Sequence, residues 1–361
     1  MGYPRILIYP KRIQNNALVL RNACLSAGVT PVAVIKGFNG HPAIVQALID
    51  AGYTCMCSSR LPHLQTIKQK HPHLTTMMLR IPMLSELPKL LQVADISLNS
   101  EPAVLRALND EAAKQGKIHQ VILMRDLGDL REGQIDRGAF YSLADLAEQL
   151  PKLYLLGIGT NLTCYGSIIP SNENLSELVE DARIIENRIG RKLDIISGGS
   201  TSSLPLVFNG KLPAGINQLR LGEALTVPCD LIEYWQCPLP GLSNTGLLLE
   251  AEVVEVGIKP TMPVGIRARN AFGTETCYVD RGWRKRAILA VGVSDIGDET
   301  KLIPVDPGIH ILGASSDHLV IDIHDSDHLY QLGDIVTFQL QYKTMLFSME
   351  AVGVEKEVCF S

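Results

Sequence analysis

The sequence predicts a (β/α)8 barrel followed by a smaller all-β domain. Two observations carry the barrel. Eight short runs rich in β-branched and apolar residues, bounded by turn residues, fall at 31–36, 53–57, 75–81, 94–98, 120–125, 153–160, 193–197 and 218–222. Amphipathic, helix-like stretches alternate with them, among them 41–51, 101–115, 142–150 and 174–189. A third observation carries the β domain: beyond Leu239 the helical period fades and strand-like runs take over.

Alternation of strand and helix implies parallel strands joined by right-handed crossovers. Several runs lack a polar alternate face, as in Val32-Ala33-Val34-Ile35 and Val121-Ile122-Leu123-Met124. Strands covered on both faces read this way. Eight such units fit a closed barrel better than an open doubly wound sheet, and no GxGxxG loop follows the first run. Asn174 and Ser176 are expected to cap the last helical stretch. Pro228, Pro238 and Pro240 punctuate the boundary, which places the barrel at 11–237 and the β domain at 238–361, joined by the N-terminal strand 1–10. The later runs, 246–256, 286–293, 319–323 and 335–342, are separated by turn clusters such as Val305-Asp306-Pro307-Gly308 and Leu332-Gly333-Asp334.

The 361 residues carry a formal net charge of −5, with 46% hydrophobic and 20% charged residues. That balance argues against a nucleic-acid or anionic-membrane partner, since both require a basic surface. No apolar run is long enough for a signal peptide or a bilayer span, so the chain is expected in the cytoplasm. The eight cysteines are scattered. Only Cys55 and Cys57 are close, and their spacing matches neither a zinc knuckle nor a redox pair. Buried thiols in a reducing compartment are the expectation. His324, Asp325, Asp327 and His328 read as a solvated loop, and no metal is expected.

In a parallel barrel, chemistry sits at the C-terminal ends of the strands. Lys36 ends the first run directly after Val32–Ile35. There, desolvation would disfavour the ammonium and free a nucleophilic amine, although a lysine reaching out to solvent would read the same. Ser197-Gly198-Gly199-Ser200-Thr201-Ser202-Ser203 follows the seventh run. Its glycine-freed amides and hydroxyls suit a phosphate, or else form a flexible linker. Arg220-Leu221-Gly222-Glu223-Ala224, after the eighth run, could add two more amides. Arg220 cannot give up its proton at ordinary pH. Against a ring nitrogen it would keep that nitrogen unprotonated and weaken the ring as an electron sink; a rim salt bridge is the alternative. A lysine at the first strand and a phosphate cradle at the last two point to one cofactor bound across the mouth.

These segments resemble the fold-type III pyridoxal-phosphate (PLP) enzymes, the alanine racemase family, over nearly the whole chain. Val34-Ile35-Lys36-Gly37-Phe38-Asn39-Gly40-His41 is similar to the family's cofactor-lysine segment. Gly157-Ile158-Gly159-Thr160-Asn161-Leu162 is similar to its sixth-strand segment, with Asn161 where a histidine usually meets the ring. Leu219-Arg220-Leu221-Gly222-Glu223-Ala224 resembles the segment that meets the pyridine nitrogen and the phosphate, and Asp126-Leu127-Gly128-Asp129-Leu130-Arg131-Glu132-Gly133 resembles the fifth-strand loop. Gly159-Thr160-Asn161-Leu162, Ser197-Gly198-Gly199 and Asp280-Arg281-Gly282-Trp283-Arg284-Lys285-Arg286 are closest to the ornithine racemase-like subgroup.

The resemblance implies PLP held by Lys36 as a Schiff base, with Asn39, Asn161, Ser200, Thr201, Arg220, Gly222 and Glu223 around it. It implies Arg131 for the substrate carboxylate, and places Asp317 and His318 at the substrate end, where an acid could also meet a distal ammonium. Met124 stands where alanine racemases often have a lysine. Phe272 stands where the family has a tyrosine that serves the second face of the substrate. Racemisation then needs another proton carrier, for which Tyr278, Cys277 and Asp280 are nearby. The implied activity is racemisation of a free amino acid, ornithine first, then alanine, lysine and serine, by a homodimer with shared active sites. A fold-type III decarboxylase would normally pair a glutamate with the ring nitrogen, which Arg220 argues against. Non-catalytic PLP-binding relatives lack a β domain.

Overall fold

The computed structural model describes residues 2–237, 240–269, 272–273 and 278–360. The chain forms two compact units, one of Met1–Arg12 with Ser243–Ser361 and one of Ile13–Leu242.

The second of these is the barrel that strand–helix alternation predicts. After β1 (Arg5–Ile8), the strands β2 (Thr30–Val34), β3 (Cys55–Ser58), β4 (Thr75–Met78), β5 (Ile96–Asn99), β6 (His119–Met124), β7 (Leu153–Gly159), β8 (Ile195–Ser197) and β9 (Gln218–Leu221) close in sequence order. Every neighbouring pair is parallel, and β2 meets β9 from Thr30 opposite Gln218 to Ala33 opposite Leu221. Alternation along the strands sorts the side chains. Val32, Val34, Cys57, Met77, Leu98, Ile122 and Met124 fill the interior as one cluster. Out-of-phase residues such as Val121, Leu123 and Leu155 pack outward against helix residues such as Leu105, Phe140 and Leu178. Each leucine-sized side chain so buried contributes about 1.5–3 kcal/mol.

Three boundaries differ from the sequence reading. The first strand stops at Val34, and Lys36 opens a 3-10 turn, Lys36–Phe38, closed by Asn39 in the left-handed region at φ 53°. The helix expected at 174–189 begins at Asn172, and its cap is Ser171. Ser171 Oγ accepts from the Asn174 amide at 3.2 Å, while Asn174 Oδ1 accepts from the Ser171 amide at 2.9 Å. Asn174 therefore closes a reciprocal box from inside the helix, and Ser176 lies deeper still. Lastly, the run 335–342 splits. β15 ends at Leu340 and a helix, Tyr342–Glu350, follows, opened by the Gln341 amide donating to Thr344 Oγ1 at 3.1 Å.

The other unit is a mainly antiparallel sheet built from β10 (Leu247–Pro260), β11 (Trp283–Leu289), β12 (Leu302–Pro304), β13 (His310–Ala314), β14 (Leu319–Asp322), β15 (Ile335–Leu340) and β16 (Glu355–Val358). Its order is β12-β15-β10-β11-β14-β13, with β1 inserted antiparallel to β10 and parallel to β16. Leu247, Leu249, Ala251, Leu289, Ile321 and Phe338 form its buried face. Among the described residues, no helix is long and apolar enough to cross a membrane.

Candidate active site

Lys36 lies two residues beyond Val34, whose side chain belongs to the barrel interior. The turn carrying it is held by Asn39 N–H donating to the Lys36 carbonyl at 3.2 Å and Gly40 N–H donating to the Ile35 carbonyl at 3.0 Å. Burial lowers the Lys36 pKa below its ordinary value, and the positive charges of Arg131 and Arg220 push the same way, against Cys164 and Glu132. The neutral amine is thus favoured, which a nucleophilic lysine needs. The exposed Asn39 side chain engages His63 Nε2 through Oδ1 at 2.8 Å, and His63 Nδ1 pairs with Ser58 Oγ at 2.9 Å. In this geometry Asn39 shapes the lysine turn and ties it to the end of β3.

Across the mouth, Arg220 is 3% exposed. Its Nη1 donates to Ser197 Oγ, and its Nη2 donates to the Thr160 carbonyl at 2.5 Å and to Asn161 Oδ1 at 2.7 Å. All these partners are uncharged. Burial drops the guanidinium pKa to about 10, so it keeps its proton at neutral pH. A buried cation whose described hydrogen-bond partners are all neutral is suited to a ligand lone pair or anion.

Beside it, Gly199 takes a positive φ of 106° and the chain turns into the 3-10 segment Thr201–Ser203. Ser203 Oγ donates to the Gly198 carbonyl at 2.7 Å, and the Ser200 and Ser202 hydroxyls lie 3.3 Å apart. Gly222 lets the chain pass close to β2: a Cβ there would sit 3.2 Å from Val34 Cβ, tighter than ordinary contact. Burial, with the charge of Asp230, pushes the next carboxyl, Glu223, up to about 8. Mostly protonated at neutral pH, it would not repel a phosphate. The desolvated amine, the dipole-ringed guanidinium and this glycine-hydroxyl turn therefore fit PLP.

Sequence reasoning missed the groups that hold these residues in place. Arg131 pairs with Glu132 through Nε and through Nη2 at 2.7 Å, and its Nη1 donates to Cys164 Sγ at 3.0 Å. Glu132 also accepts from Asn161 Nδ2. The loop bearing them is pinned by Arg125, whose Nη1 donates to the carbonyls of Asp126, Gln134 and Ile135 at 2.7, 2.6 and 2.7 Å. Arg125 Nε meets Asp181 at 3.0 Å, and Tyr141 OH donates to the same carboxylate at 2.6 Å. Asp129 clamps the following loop by accepting from the amides of Cys164, Tyr165 and Ile168 at 3.3, 2.9 and 3.2 Å. Burial alone would raise the Asp129 pKa, but these amides outweigh it and lower it. One signal was available: Asp181 is the lone acid on a helical stripe of Leu175, Leu178, Ala182 and Ile185.

The barrel unit brings Lys36, Arg131, Asn161 and Arg220 together. Tyr278, Asp317 and His318 belong to the other unit. Tyr278 is exposed, with the Arg267 guanidinium 5.6 Å from its ring centre. Asp280 accepts from Gly282 N–H at 2.9 Å and Thr261 Oγ1 at 3.3 Å, a turn-holding arrangement. Asp317 and His318 sit in the exposed turn between β13 and β14, their amides donating to Ser315 Oγ at 3.4 and 3.1 Å. Cys277 lies outside the described residues. Among the described residues, no group of three or more His, Cys, Asp or Glu is arranged to hold a metal.

Comparison with known proteins adds an independent line. Residues 8–228 match the family described as alanine racemase, N-terminal domain. The chain is 39% identical over 362 residues to an ornithine racemase of Acetoanaerobium sticklandii, covering 99% of each, and 38% identical over 356 residues to a lysine racemase of Thermotoga maritima, covering 99% and 98%. An alanine racemase from Streptomyces lavendulae superposes with a TM-score of 0.75 at 15% identity, over all of this chain and 98% of that one. A D-threonine aldolase from Filomicrobium marinum superposes at 0.73 and 15%, over 96% and 88%. At those identities the structures speak to the fold alone. The family match and the two full-length relatives reach further: this chain belongs to the alanine racemase family.

Proposed function

We propose that the chain is a PLP-dependent racemase interconverting the L and D enantiomers of a free amino acid, ornithine first, with lysine, alanine and serine behind. The observation that carries this reading is the desolvated Lys36 amine set among Arg131 and Arg220 in one barrel mouth. The two racemase relatives, one named for ornithine and one for lysine, favour a substrate with a distal amine. PLP, when bound, supplies the electron sink that acidifies the substrate α-carbon.

This chain's residues supply the rest. Lys36 holds the cofactor and moves the α-proton on one face. Arg131 binds the substrate carboxylate. Arg220 and Asn161 would meet the ring, where Arg220, as a donor, would disfavour a proton on the ring nitrogen. Ser200, Thr201 and the amides of Gly222 and Glu223 hold the phosphate. The second proton carrier comes from a partner copy, with Tyr278 and Cys277 as candidates, and Asp317 and His318 complete the substrate end. Support for a homodimer comes from Ile258, Val264, Ile266, Val279 and Trp283, each 68% or more exposed around the outer ends of β10 and β11. A second copy would cover such an apolar set. Cytoplasmic residence is supported by the described cysteines, all of them free.

The test is to incubate the PLP-loaded protein with each single amino acid and follow both enantiomers by chiral chromatography, with gas release measured in parallel. Inversion of ornithine is expected. Carbon dioxide without inversion would point to a decarboxylase, and no turnover with any amino acid to a carrier. Lys36→Ala should abolish the visible cofactor absorbance; an unchanged spectrum would mean the wrong lysine.

A further inference from the structure

Nothing in the family resemblance assigns Glu132 a role, yet it joins both sides of the mouth. Its carboxylate accepts from Nε and Nη2 of Arg131 and from Nδ2 of Asn161, while Asn161 Oδ1 accepts from Nη2 of Arg220. The side chains of Arg131 and Glu132 are 36% and 15% exposed, so the pair borders the opening while its acid is largely shielded. We propose that Glu132 is a positioning residue that orients the substrate-facing Arg131 and, through Asn161, the ring-facing Arg220. This rests on the racemase reading above.

Guanidinium geometry gives the argument its direction. Arginine presents five N–H groups in a fixed fork. Glu132 occupies the edge made by Nε and Nη2, which leaves the edge between Nη1 and Nη2 for a second, bidentate carboxylate. Cys164 Sγ accepts from Nη1 at 3.0 Å, so the only other described partner of the fork is a thiol and not a second charge. Glu132 thus fixes the plane of Arg131 without consuming the edge a substrate needs. The same carboxylate holds the Asn161 amide so that its oxygen, not its nitrogen, faces Arg220. Of the titratable groups that act on Lys36, namely Arg131, Arg220, Cys164 and Glu132, Glu132 is the carboxylate.

The test compares the PLP-loaded wild type with Glu132→Gln, Arg131→Ala and the double variant. Glu132→Gln is expected to raise KM for ornithine about tenfold to a hundredfold, the range for losing a hydrogen bond to a charged group, with a smaller change in kcat. In the Arg131→Ala background the same change should add less than about twofold, because coupled residues are not additive. Without substrate, Glu132→Gln should move the pH midpoint of the cofactor absorbance downward, since a negative charge near the Lys36 nitrogen has gone. An unchanged KM, an independent additive cost or an unmoved midpoint would overturn the proposal. A melting temperature that falls while KM and the midpoint hold would make Glu132 merely structural. A wild type that binds PLP but racemises no amino acid sinks the functional reading instead, and the absorbance midpoint still judges the relay.

Discussion

Asp181→Asn removes one charge while keeping the side-chain shape, and the structure sets its cost. The carboxylate is fully buried, and Arg125, which it meets at 3.0 Å, has a side chain only 6% exposed. Breaking a buried pair from one side costs about 3–5 kcal/mol, because the other charge is left uncompensated. The lower end applies here, since Arg125 Nη1 keeps three backbone carbonyls. The 3.3 Å contact with Arg137, whose side chain is 38% exposed, adds under about 1 kcal/mol. For a unit the size of Ile13–Leu242, about 3 kcal/mol corresponds to a melting temperature lower by roughly 6–12 °C. Because Arg125 ties both ends of the loop bearing Arg131 and Glu132, KM for the amino acid should rise as well. Tyr141→Phe, which loses the 2.6 Å hydrogen bond but leaves the charge pair, should cost about half as much. Thermal melts of the three proteins, paired with KM, make the measurement. A loss below about 1 kcal/mol for Asp181→Asn, or a larger loss for Tyr141→Phe, would refute the charge argument.

Two further outcomes follow from buried and exposed titratable groups. Burial holds His119 neutral, down at about 4 against an ordinary 6.5, with Nε2 paired to Ser97 Oγ at 2.8 Å. Between those values the unfolded chain binds a proton that the folded chain does not, so stability should fall as pH drops from 6.5 towards 4, by about 3 kcal/mol in total. His119→Gln should flatten that slope in denaturant titrations at several pH values; an equal slope in both proteins would mean the imidazole is not responsible. Cys164 is exposed beside Arg131, whereas burial pushes the Cys24 thiol up to about 12. Iodoacetamide should therefore modify Cys164 ahead of the buried thiols and raise KM, with ornithine protecting and the KM of Cys164→Ser insensitive. Modification located at Cys164 by mass spectrometry with KM unmoved would remove that thiol from the substrate path.

How much of this was legible follows from the range of the physics. Strand periodicity is written into neighbouring residues, so Val32–Val34 and Val121–Met124 announce strands covered on both faces, and eight such runs announce a closed barrel. Lys36 and Arg220 were visible because strand ends deliver side chains to one place in that fold. Arg125 and Asp181 were not, because their contact joins residues far apart along the chain, and no local pattern says which acid a buried arginine will meet. The helix Tyr342–Glu350 was hidden for a related reason: its cap is Gln341 with Thr344, and its apolar residues continue a strand-like run. Glu132 was passed over because an acid next to an arginine in a loop reads as solvated charge. Its importance appears only when the mouth is considered as a set of charges. Lys36, Arg131 and Arg220 bring three cationic groups together, and Glu132 faces them with one carboxylate. Burial first, and then the charges of Arg131 and Arg220, lower the Lys36 pKa before any ligand arrives. The excess positive charge also means that a substrate carboxylate would enter a site already short of negative charge, so Arg131, which helps to lower the Lys36 pKa, is also the group proposed to hold the anionic end of the substrate.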